Sequence, residues 1–182
     1  MRLPLLAPDQ LTPEQRALYD DISELVDAKF GDLPARSGDG ALLGPFNGWL
    51  HHPQFGRAAW LFNRAMWEHS VLPDAIHQLV ILVTAARFGA RYETRGHEYF
   101  ARRAALPDDV IAAIAAGERP ANLSHEQAVA FSAAAVLNRG KRLPDSTYHA
   151  AVHAFGVDGA AEIVFLVGCF NMVGITLNAF DE

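Results

Sequence analysis

Cysteine is almost missing from this 182-residue chain, in which Cys169 is the single one. One thiol cannot close an internal disulfide, and it rules out every CxxC redox or zinc motif, so a reducing, cytoplasmic setting is expected. Positive charge is also scarce. Fifteen Lys and Arg stand against twenty-one Asp and Glu, for a formal net charge of −6. No basic run could track a phosphate backbone, and a nucleic acid partner is not expected. The opening segment, Met1 to Pro8, is too short and too rich in proline for the apolar core of a secretory signal. Ile163 to Phe180 carries no charge over eighteen positions, which only just reaches the length needed to cross a bilayer. Asn171, Thr176 and Asn178 interrupt it and no Lys or Arg anchors its ends, so it reads as a buried helix at a core or subunit interface and not as a membrane span. Strand-like alternation is absent as well.

What the chain does have is helix punctuation. Thr12-Pro13-Glu14 sets a cap and a first-turn proline before Leu18, Ile22, Leu25 and Val26, one apolar stripe that ends at Gly31. From Asp32 to His52 the Pro, Ser and Gly content predicts a loop of about twenty residues, longer than most loops in compact domains. A second helix is predicted from Pro53 to about His69, with Phe55, Ala59, Phe62 and Met66 on one face. Pro73 opens a third, through Leu79, Val80, Leu82 and Val83, that stops at Gly89. Further helices follow over Arg91 to Ala105 and from Pro107 to Gly117. Ser124 with Gln127 fits a capping box for a sixth, ending near Gly140. Asp145 to Phe155, closed by Gly156, and Val157 to Phe180 complete an all-α chain of about eight helices. The runs His77 to Val83 and Ala161 to Val167 match as apolar segments led by Gln78 and Glu162, a pattern that a duplicated helical hairpin would leave and that chance also produces.

The stretch richest in chemistry is Ala90-Arg91-Tyr92-Glu93-Thr94-Arg95-Gly96-His97. Glu93 and His97 are four apart, so on a helix they share one face and can reach the same small volume. A carboxylate beside an imidazole fixes its tautomer and makes a proton donor or acceptor that works near neutral pH. The same spacing also describes an ordinary surface pair worth a few tenths of a kcal/mol. His149 and His153 are likewise four apart but lack a third ligand nearby in sequence, and no metal site is expected. His51 and His52, beside Trp49, either line a pocket in the long loop or simply precede the helix at Pro53. Glu162 needs a partner if it is buried, and is otherwise a first-turn acid favoured by the helix dipole. Cys169, among Leu166, Val167 and Phe170, reads as a small apolar filler.

Leu72-Pro73, Gln78-Leu79-Val80-Ile81-Leu82, Tyr92-Glu93 and His97 together resemble the carboxymuconolactone decarboxylase and AhpD-type alkylhydroperoxidase-like superfamily. Gly44-Pro45-Phe46, Leu50-His51-His52-Pro53, Gly117 with Pro120, Leu143-Pro144-Asp145 and Phe155-Gly156 ahead of Glu162 support the likeness, which covers residues 40 to 180. On this resemblance, 1–182 is one all-α domain with an AhpD-like helical bundle, in which 1–40 is an N-terminal helix and loop extension and 41–182 the decarboxylase-like region. It implies no organic cofactor and no metal, and assembly into dimers, trimers or hexamers. The peroxidase branch of the family places CxxC where this chain has Ala90 and Glu93. The chain resembles the branch without those cysteines, which keeps the histidine and has a glutamate at the position of Glu93, as in the decarboxylase of aromatic catabolism. It departs from the family at Gln78, where a glutamate is common, and at Thr94, where decarboxylase-like members often have Trp. An amide can hydrogen-bond but cannot shuttle a proton.

The resulting expectation is a cofactor-independent lyase acting on a small carboxylated lactone or keto acid. His97 would supply the proton, Glu93 would orient and polarise the imidazole, and Gln78 would donate a hydrogen bond to the developing enolate or fix a water. Tyr92, Arg95, Trp49, Phe46, His51 and His52 are the expected pocket wall, with a guanidinium to hold a substrate carboxylate. A catalytically inactive oligomer that binds a metabolite or protein partner is the alternative, and a peroxidase-related protein a lesser one. Self-association is expected because 51% hydrophobic residues is more than a small bundle readily buries.

Overall fold

The computed structural model describes residues 2–180, and among them the fold is all helical. A 3-10 turn at Pro8–Gln10 precedes α1 (Pro13–Lys29), α2 (Pro45–His51), α3 (Pro53–Glu68), α4 (Asp74–Phe88), α5 (Arg91–Arg103), α6 (Asp108–Ala115), α7 (His125–Asn138) and α8 (Asp145–Phe180). The punctuation works as its chemistry requires. Thr12 and Gln15 form a reciprocal capping box on α1, and Ser124 and Gln127 form the same box on α7. α8 is two helical arms joined at Gly156, whose φ of 72° and ψ of 175° lie where only glycine is at ease, and this matches the break expected there. The only β feature among the described residues is an isolated bridge between Arg36 and Leu42.

The chain falls into two compact units, one of residues 2–68 and 175–180 and the other His69–Gly174. In the first, α1, α2 and α3 pack around Trp60, which is fully buried. Phe46 meets Trp49 and Trp60 edge-on, with ring centroids 5.7 and 6.0 Å apart, and Phe30 leans on Phe46 at 6.2 Å. The predicted loop from Asp32 to His52 is therefore one-third helix. Gly44-Pro45 starts α2, because proline suits the first turn of a helix and aromatics follow that can be buried. The side of α3 that packs inward also differs from expectation. Pro53, Gly56, Trp60 and Asn63 are buried, whereas Phe55 is 79% exposed. Trp60 decides this, since its large surface outweighs the smaller apolar residues opposite. Gly56 permits the close fit: a Cβ there would sit 2.1 Å from the Trp49 carbonyl oxygen, a backbone atom that cannot swing aside. Gly56→Ala is expected to destabilise the protein by about 3 kcal/mol, the upper end for overpacking, read as a lowered urea midpoint.

In the second unit α4 is the centre, contacting α5, α6 and α7. It is buried around most of its circumference, as a helix apolar on all sides must be. Leu79, Ile81 and Leu82 of α4, Ile111 and Ile114 of α6, and Ile163 and Phe170 of α8 are among its largest fully buried side chains. Against this apolar background two adjacent polar residues, His77 and Gln78, are also buried on α4. α8 is long and apolar enough by composition to cross a bilayer, but its second arm buries Ile163, Leu166, Val167, Phe170 and Val173, as a core helix does.

Candidate functional site

Glu93 enters the first turn of α5 just after the Ala90 N-cap, a position where the helix dipole favours an acid, and His97 follows one turn later. Both are buried, at 4% and 6% exposure, together with Gln78 of α4 at 5%. His97 Nδ1 lies 2.7 Å from Gln78 Oε1. An amide oxygen can only accept, so Nδ1 carries a proton. His97 Nε2 lies 3.0 Å from Glu93 Oε1. That oxygen is at ion-pair distance but off the line of an aligned hydrogen bond, so the contact is chiefly electrostatic. With Nδ1 already protonated, Nε2 is the ring atom that faces the Glu93 carboxyl, and it is the position at which a proton could pass between them. Phe170 stands edge-on to the imidazole at 5.0 Å and Phe100 tilts against it at 5.7 Å. The arrangement is an imidazole with a fixed tautomer in an apolar wall, able to give or take one proton.

A second buried histidine–carboxylate cluster stands in the same unit. Glu162 Oε1 is 2.9 Å from His77 Nδ1 and accepts from the Ser70 hydroxyl at 2.5 Å. Its Oε2 accepts the backbone N–H groups of Val71 at 2.7 Å and Leu72 at 3.1 Å. Burial opposes ionisation of Glu162, yet the hydrogen bonds from His77, Ser70 and Val71 and the charge of His77 outweigh it and hold the carboxyl below its ordinary range. The need of a buried Glu162 for a partner was legible in the sequence. That the partners are Ser70 and His77, more than eighty residues away, was not. Gln78 and Glu162, the matching positions of the two similar apolar runs, each present an oxygen to a histidine Nδ1.

The other expected site residues are placed as follows. Tyr92 is half-buried beside Glu93, while Arg95 is exposed. Two residues from both Glu93 and His97, Arg95 projects about 200° around the helix from them, away from their shared face. Phe46 and Trp49 belong to the aromatic core of the first unit and not to a loop. His51 is in the last turn of α2 and its Nε2 donates to the Pro4 carbonyl at 2.8 Å, while His52 lies near Phe180, with ring centroids 6.5 Å apart. The oxygen of Gln78 is taken by His97, so its amide positions the imidazole, and only its nitrogen is left as a donor. The Thr94 hydroxyl turns back to the Ala90 carbonyl at 3.1 Å. Cys169 is fully buried, and His149 and His153 are exposed on the first arm of α8. Among the described residues no group of three or more His, Cys, Asp or Glu could hold a metal ion.

No protein-family model matches the chain, and no curated protein does. A solved structure does: the crystal structure of an alkylhydroperoxidase AhpD core, an uncharacterized peroxidase-related protein from Ralstonia eutropha JMP134. The likeness covers 98% of this chain and 88% of that one, with a TM-score of 0.75 at 18% sequence identity. The chain thus has the AhpD-core fold, an all-α bundle of eight helices among the described residues.

Proposed function

We propose that this AhpD-fold protein is a cofactor-independent lyase of the carboxymuconolactone decarboxylase type, acting on a small carboxylated lactone or keto acid. The observation that carries the reading is the buried His97, with Nδ1 held by Gln78 Oε1 and Nε2 3.0 Å from Glu93 Oε1. When carbon dioxide leaves a carbon conjugated to a carbonyl, the electron pair of the broken C–C bond passes into an enolate. That enolate collects a proton at carbon. The Glu93–His97 pair supplies it, and the Gln78 contact keeps the ring in the tautomer that presents Nε2. The neighbour's description as peroxidase-related does not carry thiol chemistry to this chain. Cys169 is buried, and no second cysteine exists to resolve a sulfenic acid.

The test is a panel of carboxylated lactones and keto acids followed by carbon dioxide release and by NMR of the product. Turnover that disappears in His97→Ala supports the reading, and turnover indifferent to His97 overturns it. A non-catalytic, metabolite-binding oligomer is the second reading, favoured by Gln78, which cannot relay a proton. It would show as saturable binding without product.

The protein is also proposed to self-associate through the outer face of the second arm of α8. Val157, Val164 and Phe165 are 63%, 44% and 54% exposed there, on an arm that carries no charge from Ile163 to Phe180. Light scattering at micromolar concentration is expected to give a multiple of the 19.8 kDa chain mass, and a monomer would contradict the assignment.

A further inference from the structure

The two buried clusters meet in consecutive residues of one helix. His77 is bonded to Glu162 of α8, and Gln78 to His97 of α5. Neighbouring residues on a helix project about 100° apart, so these two bonds hold α4 from two directions. One bond fixes a point on a helix. Two bonds at a wide angle fix its rotation about its own axis. We propose that the Glu162–His77 pair is a positioning device for His97, setting the rotation of α4 and thereby holding Gln78 Oε1 against His97 Nδ1.

The anchor is built for this. Glu162 accepts from Ser70, Val71 and Leu72, which lead into α4, and contacts His77 in the helix itself, so one carboxylate ties down both the approach to α4 and its early turns. Pro73, the N-cap of α4, offers no side-chain cap, so the helix start depends on such outside partners. The sensitivity is geometric. A rotation of about 10° moves an atom lying about 6 Å from the helix axis by about 1 Å. A 2.7 Å hydrogen bond does not survive a shift of that size unchanged. Glu162 and His77 act through Gln78 and touch no reacting group.

The consequence for turnover rests on the acid–base reading of His97, but the positioning itself is measured without a substrate. In the full-length protein, imidazole nitrogen-15 and ring N–H proton signals report the state of His97 Nδ1, with Gln78→Ala as the reference for a released ring. His77→Leu removes the link to Glu162, and His77→Gln restores a donor of similar reach. The expected result is a His97 Nδ1–H signal that is lost or exchanges at least ten-fold faster in His77→Leu, as in Gln78→Ala, and returns to wild-type behaviour in His77→Gln. Should His77→Leu fail to fold, Glu162→Gln serves. Its nearly isosteric side chain keeps the shape but replaces the ionic contact to His77, and it is expected to speed exchange at His97. A folded His77→Leu, or in its place Glu162→Gln, with His97 signals identical to wild type would overturn the proposal. Release of the ring in His77→Leu alongside full turnover in His97→Ala would instead remove the acid–base reading and leave the positioning intact.

Discussion

His97→Ala is expected to lower turnover of an identified lactone or keto acid by about 10²- to 10⁴-fold, the usual contribution of a placed proton donor. The chain fold should be unaffected beyond a modest cavity between Phe100 and Phe170. The loss belongs in kcat more than in KM, because the proton is needed only as charge develops on the substrate. Glu93→Gln separates the parts of the pair. An amide at that position can still contact Nε2 but cannot share its proton, so a loss approaching that of His97→Ala is expected. Gln78→Ala leaves the proton in place and frees the ring, so its effect should be smaller. If Gln78→Ala were instead the most damaging of the three, the amide nitrogen and not the imidazole would be the main stabiliser of the enolate.

Glu162→Ala is expected to cost about 3–5 kcal/mol of stability, as when one partner of a buried ion pair is removed. The Ser70 hydroxyl and the N–H groups of Val71 and Leu72 lose their acceptor together, and Nδ1 of His77 is left with the Ser70 hydroxyl 3.0 Å away. Urea unfolding at neutral pH measures the loss. The pH dependence carries a definite sign. The folded-state carboxyl of Glu162 is held below its unfolded value, so its contribution is present above the unfolded value and fades as pH falls through the folded one. Wild type should therefore lose stability on acidification more steeply than Glu162→Gln, and the two curves should converge in strong acid. Parallel curves across that range would show that Glu162 is not ionised in the folded protein.

The helices were legible because their boundaries are written in short-range chemistry. Thr12-Pro13, Ser124 with Gln127, and Gly156 each act within a few residues of themselves. The boundaries Asp74–Phe88 and His125–Asn138 accordingly lie close to those the punctuation predicts. α2 was hidden because a seven-residue helix leaves little periodicity, and the Pro and Gly content around it suggested a loop. The face of α3 was misjudged for another reason. Periodicity identifies an apolar stripe, but which stripe is covered depends on what packs there, and Trp60 with Gly56 fits the Trp49 backbone better than Phe55 does. At the site, the Glu93–His97 pair was readable from its i, i+4 spacing. Gln78 was a candidate through the family resemblance, as a donor to the enolate or a water, and its bond to His97 was not anticipated; Ser70 and His77 had no local signal, since their acceptor lies far along the chain.

The near-complete burial of Glu93 and His97 has a consequence for the flow of charge. On the proposed chemistry the pair enters each cycle holding one proton and no net charge. A substrate carboxylate that leaves as carbon dioxide carries none away, so once the proton has gone to carbon, the negative charge brought in by the substrate remains on Glu93 and His97. On that chemistry the site is left anionic once the products form, and each cycle would end with a proton drawn in from water through the few per cent of surface that the pair exposes. In heavy water that incoming particle is a deuteron. The deuterium found at the new C–H bond then records how many times this site has discharged and refilled.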